Sequence, residues 1–242
     1  MTKVDVVYLP SELESHQVRD RAVVAFDVLR ATTTIVTALA AGANEVRIFA
    51  SLDAASVAAS TYGSPRLLCG ERKCLAPPGF DLGNSPREFT SDRVSGKTIF
   101  LSTTNGTRAI VAARDAPRLF AAALVNALAT AQMLVSLGLD VTLLCAGTDS
   151  QVAPEDIIGA GAVIDRLFQR TQLELGCHAG DALRLFKDSQ SNLVEVLRKT
   201  QGGRNIIAAG LYQDIESAAR LDALSIAVEV TGQPPVARRI AG

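Results

Sequence analysis

Short β-branched runs alternate along this chain with Ala- and Leu-rich segments of helical length, and that rhythm constrains the fold more than any other feature. Val, Ile and Thr favour the pleated sheet and Ala and Leu the helix, so the alternation predicts strand and crossover helix in an α/β fold with a parallel or mixed sheet. With 242 residues, 48% of them hydrophobic, the chain can bury one large core or two closely joined lobes.

Three units stand out. Residues 22–26 read as a buried strand and 32–41 as a helix that Gly42 ends; residues 98–101 lead through a polar turn into a helix over 108–114. Residues 141–144 lead through Cys145, Ala146 and Gly147 to a helix starting near Pro154. Each junction lies at the carboxyl end of a strand, where free helix amides accumulate, so the polar residues of all three predict one shared pocket. Between the first two units, residues 67–87 hold Gly70, Pro77, Pro78, Gly79, Gly83 and Pro86, and read as a long functional loop or lid. Farther on, 181–187 and 192–200 read as helices, Gly202-Gly203 as a break, and 214–228 as helical again.

A formal net charge of −1 provides no basic excess for nucleic acid. No run approaches the roughly 18–20 apolar residues of a membrane span, so no membrane partner is expected. Cys69, Cys74, Cys145 and Cys177 form no CxxC pair, and the start of the chain lacks a signal-peptide pattern; free thiols in a cytoplasmic protein are expected.

Asp27 directly follows an apolar strand, where a buried carboxylate needs a cation such as Mg²⁺, a guanidinium such as that of Arg30, or several donors; alternatively it merely caps the next helix. Thr32, Thr33 and Thr34 then offer three hydroxyls at a helix start, more than capping uses. Ser102, Thr103, Thr104, Asn105, Gly106, Thr107 and Arg108 repeat that chemistry at the second junction, with a guanidinium for bidentate contact. Two such junctions predict an anion site with room for two anionic groups. Glu155 and Asp156, behind Pro154, are metal ligands or acids favoured by the helix dipole. Glu71, Arg72, Asp81, Asn84 and Ser85 add polar groups on the lid. Cys69 and Cys145 read as inert buried thiols, and His16 and His178 have no partner spacing.

Several phosphoryl-transfer devices are missing. No Cys has an Arg six residues later, two separated His cannot build a His-rich binuclear centre, and no P-loop or dinucleotide fingerprint occurs. Leu29 stands where the D-x-D pattern of haloacid-dehalogenase-type phosphatases requires a second Asp.

Taken in order, residues 27–34, Gly70-Glu71-Arg72, 79–86, 103–109, Cys145-Ala146-Gly147 and Glu155-Asp156 closely resemble the 2-phosphosulfolactate phosphatase family. The resemblance covers most of the chain and extends more loosely to Gly203-Arg204 and Asp214. It implies a three-layer α/β/α fold and Mg²⁺-dependent hydrolysis of 2-phosphosulfolactate to 3-sulfolactate and phosphate, a step toward coenzyme M in methanogens. Such a small, multiply anionic phosphate ester would explain why Arg30, Arg72 and Arg108 converge beside hydroxyl-rich helix starts, with Arg204 a secondary contact.

The expected metal ligands are drawn from Asp27, Glu71, Asp81, Glu155 and Asp156, and the attacking group is metal-bound water or Asp27 itself. Asp27, Arg30 and Arg108 are the expected catalytic residues, with Thr32, Thr33, Thr34, Arg72, Asn84, Ser85, Thr103, Thr104, Asn105, Gly106, Thr107 and Arg204 binding substrate. A non-enzymatic anion carrier would need the same donors without a metal, and an isomerase for a phosphorylated hydroxy acid would use a carboxylate as base. A homodimer is the expected assembly, as for most soluble oligomers.

Overall fold

Short segments rich in Val, Ile, Leu and Ala become strands, some with charged residues interspersed as in β1 and β3, and many of the segments between them become helices. In chain order the elements are β1 (Thr2–Val7), β2 (Ala22–Phe26), α1 (Ala31–Ala40), β3 (Glu45–Ile48), α2 (Leu52–Ser60), β4 (Arg66–Gly70), α3 (Ser91–Val94), β5 (Thr98–Ser102), α4 (Gly106–Ala112), β6 (Arg118–Ala122), α5 (Ala127–Leu137), β7 (Val141–Cys145), α6 (Pro154–Phe168), β8 (Leu173–Leu175), α7 (Ala179–Ser189), α8 (Leu193–Lys199), α9 (Gln201–Ala208), α10 (Gln213–Ala218), β9 (Ala227–Thr231) and β10 (Val236–Ile240). This computed structural model describes residues 1–103 and 105–240.

All ten strands form one sheet in the order β4-β5-β3-β10-β9-β6-β2-β7-β1-β8, flanked by helices as a three-layer α/β/α fold. β6, β2, β7, β1 and β8 run parallel, as do β4, β5 and β3. The hairpin β9–β10 lies between the blocks and pairs antiparallel with each. The path from one block to the other therefore crosses three antiparallel pairings, and the blocks run in opposite senses. Every residue of β2 and β7 is buried, which explains why both are apolar apart from Thr142.

The three strand-to-helix units appear where the sequence places them, and Gly42 ends α1 with φ +98°. Three expectations change. The segment 67–87 is not wholly a loop: its first residues complete β4, because Leu67 to Gly70 pair with Ile99 to Ser102. Gly202 and Gly203 lie inside α9 rather than breaking it; the Thr200 hydroxyl caps the helix by accepting from Gly203 N–H at 3.1 Å, and a Cβ on Gly203 would lie 2.0 Å from Leu197 O. The helix expected over 214–228 stops at Ala218, and residues from Ala227 join the sheet as β9. No helix among the described residues is long and apolar enough to cross a membrane.

Candidate active site

The turn from β2 into α1 is held by its own side chains. Thr32 Oγ1 accepts from Asp27 N–H at 3.0 Å and donates to Asp27 O at 2.9 Å; Thr33 Oγ1 donates to Val28 O at 2.8 Å and Thr34 Oγ1 to Asn84 O at 3.0 Å. Each hydroxyl has one proton, and each donates it to a backbone carbonyl. All three threonines are fully buried and none lines the cavity, so they build the turn instead of contacting substrate. Asp27 accepts from Ala31 N–H at 3.2 Å through Oδ1.

The second junction reaches Asp27 although β5 runs against β2. The Gly106 amide hydrogen-bonds the Asp27 carboxylate, and a Cβ on Gly106 would lie 2.8 Å from Asp27 Oδ2 and 2.6 Å from Ala31 Cβ, so only glycine permits the approach. Thr107 Oγ1 accepts from Thr103 N–H at 3.4 Å and lies 3.3 Å from the Thr103 hydroxyl, a local contact behind the cavity wall. Thr103 and Asn105 line the cavity; Thr104 lies outside the described residues. Arg108 is exposed, donates to Ser150 Oγ at 3.4 Å and is not part of the wall.

At the third junction Asp156 accepts three backbone N–H groups, from Val28 at 2.8 Å on Oδ1 and from Ala146 at 3.2 Å and Gly147 at 3.1 Å on Oδ2. It clamps the ends of β2 and β7 together. Glu155 differs: it is 1% exposed, and neither carboxylate oxygen makes a hydrogen bond of normal geometry. A Cβ on Gly202 would lie 2.1 Å from Glu155 Oε1, so glycine in α9 makes room for this carboxylate.

Burial pushes the Asp27 carboxyl up to about 6, with the negative charges of Glu155 and Glu71 adding to the rise and the Ala31 and Gly106 amides opposing it. Glu155 is raised by burial against the pull of the nearby Thr200 hydroxyl, Gly202 amide and Arg204 charge. Asp156 is raised well above its ordinary value by burial and then by Asp27 and Glu155. The junctions thus concentrate carboxylates that repel one another's charge.

Beside them opens a cavity of about 600 Å³. Its walls come from Asp27, Thr103 and Asn105, from Glu71 to Leu75, from Thr148 and Asp149, and from α9. Arg30 lines it while donating to Asp214 Oδ2 at 2.6 Å and to Cys74 O at 2.6 Å. Asp214 Oδ1 accepts from Ser85 Oγ at 2.6 Å, so Ser85 supports Arg30 from behind rather than lining the cavity. Glu71 accepts from Cys74 N–H at 2.9 Å, and Arg72 also lines the cavity. Asn84 is 4% exposed, lines the cavity, and its Oδ1 has no hydrogen-bond partner.

Asp81 and Arg204, like Arg108, do not line the cavity. Asp81 is exposed, and its carboxylate accepts from Leu68 N–H at 2.8 Å, pinning the loop to β4. Arg204 turns toward the start of its own helix, donating to Lys199 O and, at 2.9 Å, to Gln201 Oε1. Sequence reasoning missed Lys73, Thr148, Asp149 and the α9 wall of Asn205 and Ile206. The α9 wall had a signal, since residues 202, 205, 206 and 209 share one helical face, but reading Gly202-Gly203 as a break concealed it.

Among the described residues no three carboxylate, histidine or cysteine side chains form a ready cation cage. The donors nearest one another are nevertheless all carboxylate oxygens, chemistry suited to a hard divalent cation that keeps water in its shell. The buried, unpartnered oxygens of Glu155 are where such compensation is most needed.

Residues 7–233 match the family model of 2-phosphosulpholactate phosphatase. The chain belongs to the 2-phosphosulfolactate phosphatase family. A probable 2-phosphosulfolactate phosphatase of Carboxydothermus hydrogenoformans is 42% identical over 94% of this chain and 92% of its own length. Proteins of the same name from Symbiobacterium thermophilum and Thermotoga maritima are each 39% identical over 88% of this chain, covering 92% and 88% of their lengths. The 2-phosphosulfolactate phosphatase match contains all three junctions and the whole of α9.

Proposed function

We propose that this chain is a Mg²⁺-dependent phosphoric monoester hydrolase that converts 2-phosphosulfolactate and water to 3-sulfolactate and phosphate. The observation that carries the reading is the convergence of the Asp27 and Glu155 carboxylates beside a cavity whose wall also holds Arg30, Arg72 and Lys73. Cations on that wall suit a substrate with phosphate, sulfonate and carboxylate groups. The names of the relatives supply the substrate, and the four free thiols support a reducing cytoplasmic setting.

Asp27 and Glu155 are the residues that would hold Mg²⁺. When bound, Mg²⁺ neutralises phosphate charge and lowers the pKa of bound water. The chain's own groups do the rest. The Ala31 and Gly106 amides hold the Asp27 carboxylate in place, and Asp156 clamps the strand ends that carry it. Arg30, Arg72 and Lys73 attract the anionic groups and orient them. In the reaction the water oxygen bonds to phosphorus, the bond from phosphorus to the C2 oxygen breaks, and that oxygen leaves with its electron pair and gains a proton.

Phosphate release from 2-phosphosulfolactate tests the proposal. Release should require Mg²⁺, stop on chelation and resume on Mg²⁺ addition. Substrate bound but recovered intact would instead indicate an anion carrier, and rearranged substrate with its phosphate retained an isomerase. Acid quenching during turnover of a ³²P-labelled ester, followed by digestion of the protein, separates the two attackers, because phosphate carried on the Asp27 peptide would exclude direct attack by water.

A further inference from the structure

Two tight turns border the cavity. Arg72 N–H donates to Leu75 O at 2.9 Å and Leu75 N–H to Arg72 O at 3.2 Å; Thr148 and Gln151 exchange the same pair of bonds at 2.9 Å each. Between these partners lie Lys73 and Cys74, with φ of +51° and +67°, and Asp149 and Ser150, with φ of +51° and +63°. A type I′ hairpin requires positive φ at both central residues, a conformation that suits Gly and Asn and strains Lys, Cys and Ser. Seven non-glycine residues among those described have positive φ, and four of them are these two tips. Strain gathered at one cavity marks turns whose placement matters to what the cavity does.

The turns come from different parts of the sheet and are held in the same way. One follows β4 and the other β7, which lie in the two parallel blocks. Arg30 donates to Cys74 O at 2.6 Å and Arg108 to Ser150 Oγ at 3.4 Å, so an arginine from a strand-to-helix junction pins each tip. Lys73, Cys74 and Asp149 line the single cavity between them. The tips are within electrostatic reach: burial raises the Cys74 thiol, Arg30 opposes the rise, and the charges of Glu71, Asp214 and Asp149 add to it. Lys73 and Asp149 are exposed, opposite in charge, and in no ion pair among the described residues.

A carboxylate at the rim of an anion-binding cavity repels the incoming charge, so Asp149 works against binding unless it has a second role. Lys73 supplies one, because its flexible four-carbon stem carries a mobile point charge. In open water such a pair contributes little. Once an anion fills the cavity and displaces water, the attraction strengthens. We infer that Lys73 and Asp149 are positioning residues that close the cavity as an ion pair over a bound anion, from two turns that Arg30 and Arg108 hold in place. The inference rests on the anion-binding part of the hydrolase reading and involves no bond made or broken.

Calorimetric binding of inorganic phosphate, with Mg²⁺ present, tests closure without turnover. Asp149→Asn removes the charge and keeps the turn, since Asn adopts positive φ readily. The two roles predict opposite signs. Loss of a merely repulsive charge tightens phosphate binding, whereas loss of the closing pair should weaken it by about fivefold in Kd. Asp149→Glu, which restores the charge, should return Kd to within about twofold of wild type. Phosphate binding by Asp149→Asn that equals or exceeds wild type overturns closure, as does a Glu variant as weak as the Asn variant, or a wild type that binds no phosphate. The hydrolase reading is decided separately by phosphate release from 2-phosphosulfolactate: its failure leaves the phosphate-binding comparison intact, and failure of closure leaves hydrolysis standing.

Discussion

Arg30 and Asp214 are separated by 184 residues along the chain and by 2.6 Å in space. Both side chains are 2% exposed, and the pair joins the β2–α1 turn to α10. Removing the carboxylate strands a buried guanidinium, so Asp214→Ala should lose about 3–5 kcal/mol in urea unfolding. Asp214→Asn, which keeps an acceptor for Arg30 or Ser85, should lose less. Phosphate release should fall in both, because Arg30 lines the cavity.

Asp27 should make the protein less stable as pH rises. Its carboxyl lies at about 6 in the folded protein against an ordinary 3.8, so the folded state binds this proton more tightly than the unfolded state. The stabilisation is complete below pH 4 and disappears as pH rises past 6, a change of about 3 kcal/mol for roughly two pKa units. Asp27→Asn should flatten this part of the profile and unfold at higher urea than wild type at pH 7.5, while losing turnover. Mg²⁺ should stabilise wild type at that pH and leave the Asn variant nearly unmoved. Near-normal turnover by the variant would remove Asp27 from the mechanism.

Gly202→Ala tests the seat of Glu155. The new Cβ would lie 2.1 Å from Glu155 Oε1, so the carboxylate or the helix must shift. Stability should fall by about 1–3 kcal/mol, as in other overpacked sites. Mg²⁺-dependent phosphate release should fall by more than the loss of folded protein explains, measured at a urea-free temperature where both proteins are folded.

Thr33→Val distinguishes a threonine that builds the turn from one that binds substrate. Its hydroxyl donates to Val28 O at 2.8 Å, so the substitution leaves a buried carbonyl short of a donor and should destabilise by about 1–3 kcal/mol. KM for 2-phosphosulfolactate should stay within twofold of wild type; a tenfold rise would restore Thr33 to the binding site.

Local chemistry made part of the site legible in advance. An Asp directly after an apolar strand, and a glycine after hydroxyl-rich residues at a second strand end, marked Asp27 and Gly106, which meet in the structure. The three threonines misled because a hydroxyl at a helix start serves a ligand and a backbone carbonyl equally well, and only the positions of Val28 O and Asn84 O settle which. Asp81 and Arg204 misled for a related reason: a polar residue near a motif can turn to satisfy its own backbone neighbours.

The sequence by itself determined the three strand-to-helix units, the α/β class and the family, because periodicity and motif order are local and survive without coordinates. Tertiary structure alone decided that the two parallel blocks run in opposite senses, that Arg30 belongs with Asp214, and that Gly202 leaves space for Glu155. Those relationships join residues far apart in the chain, and their physics is close approach and buried charge, which no local pattern encodes.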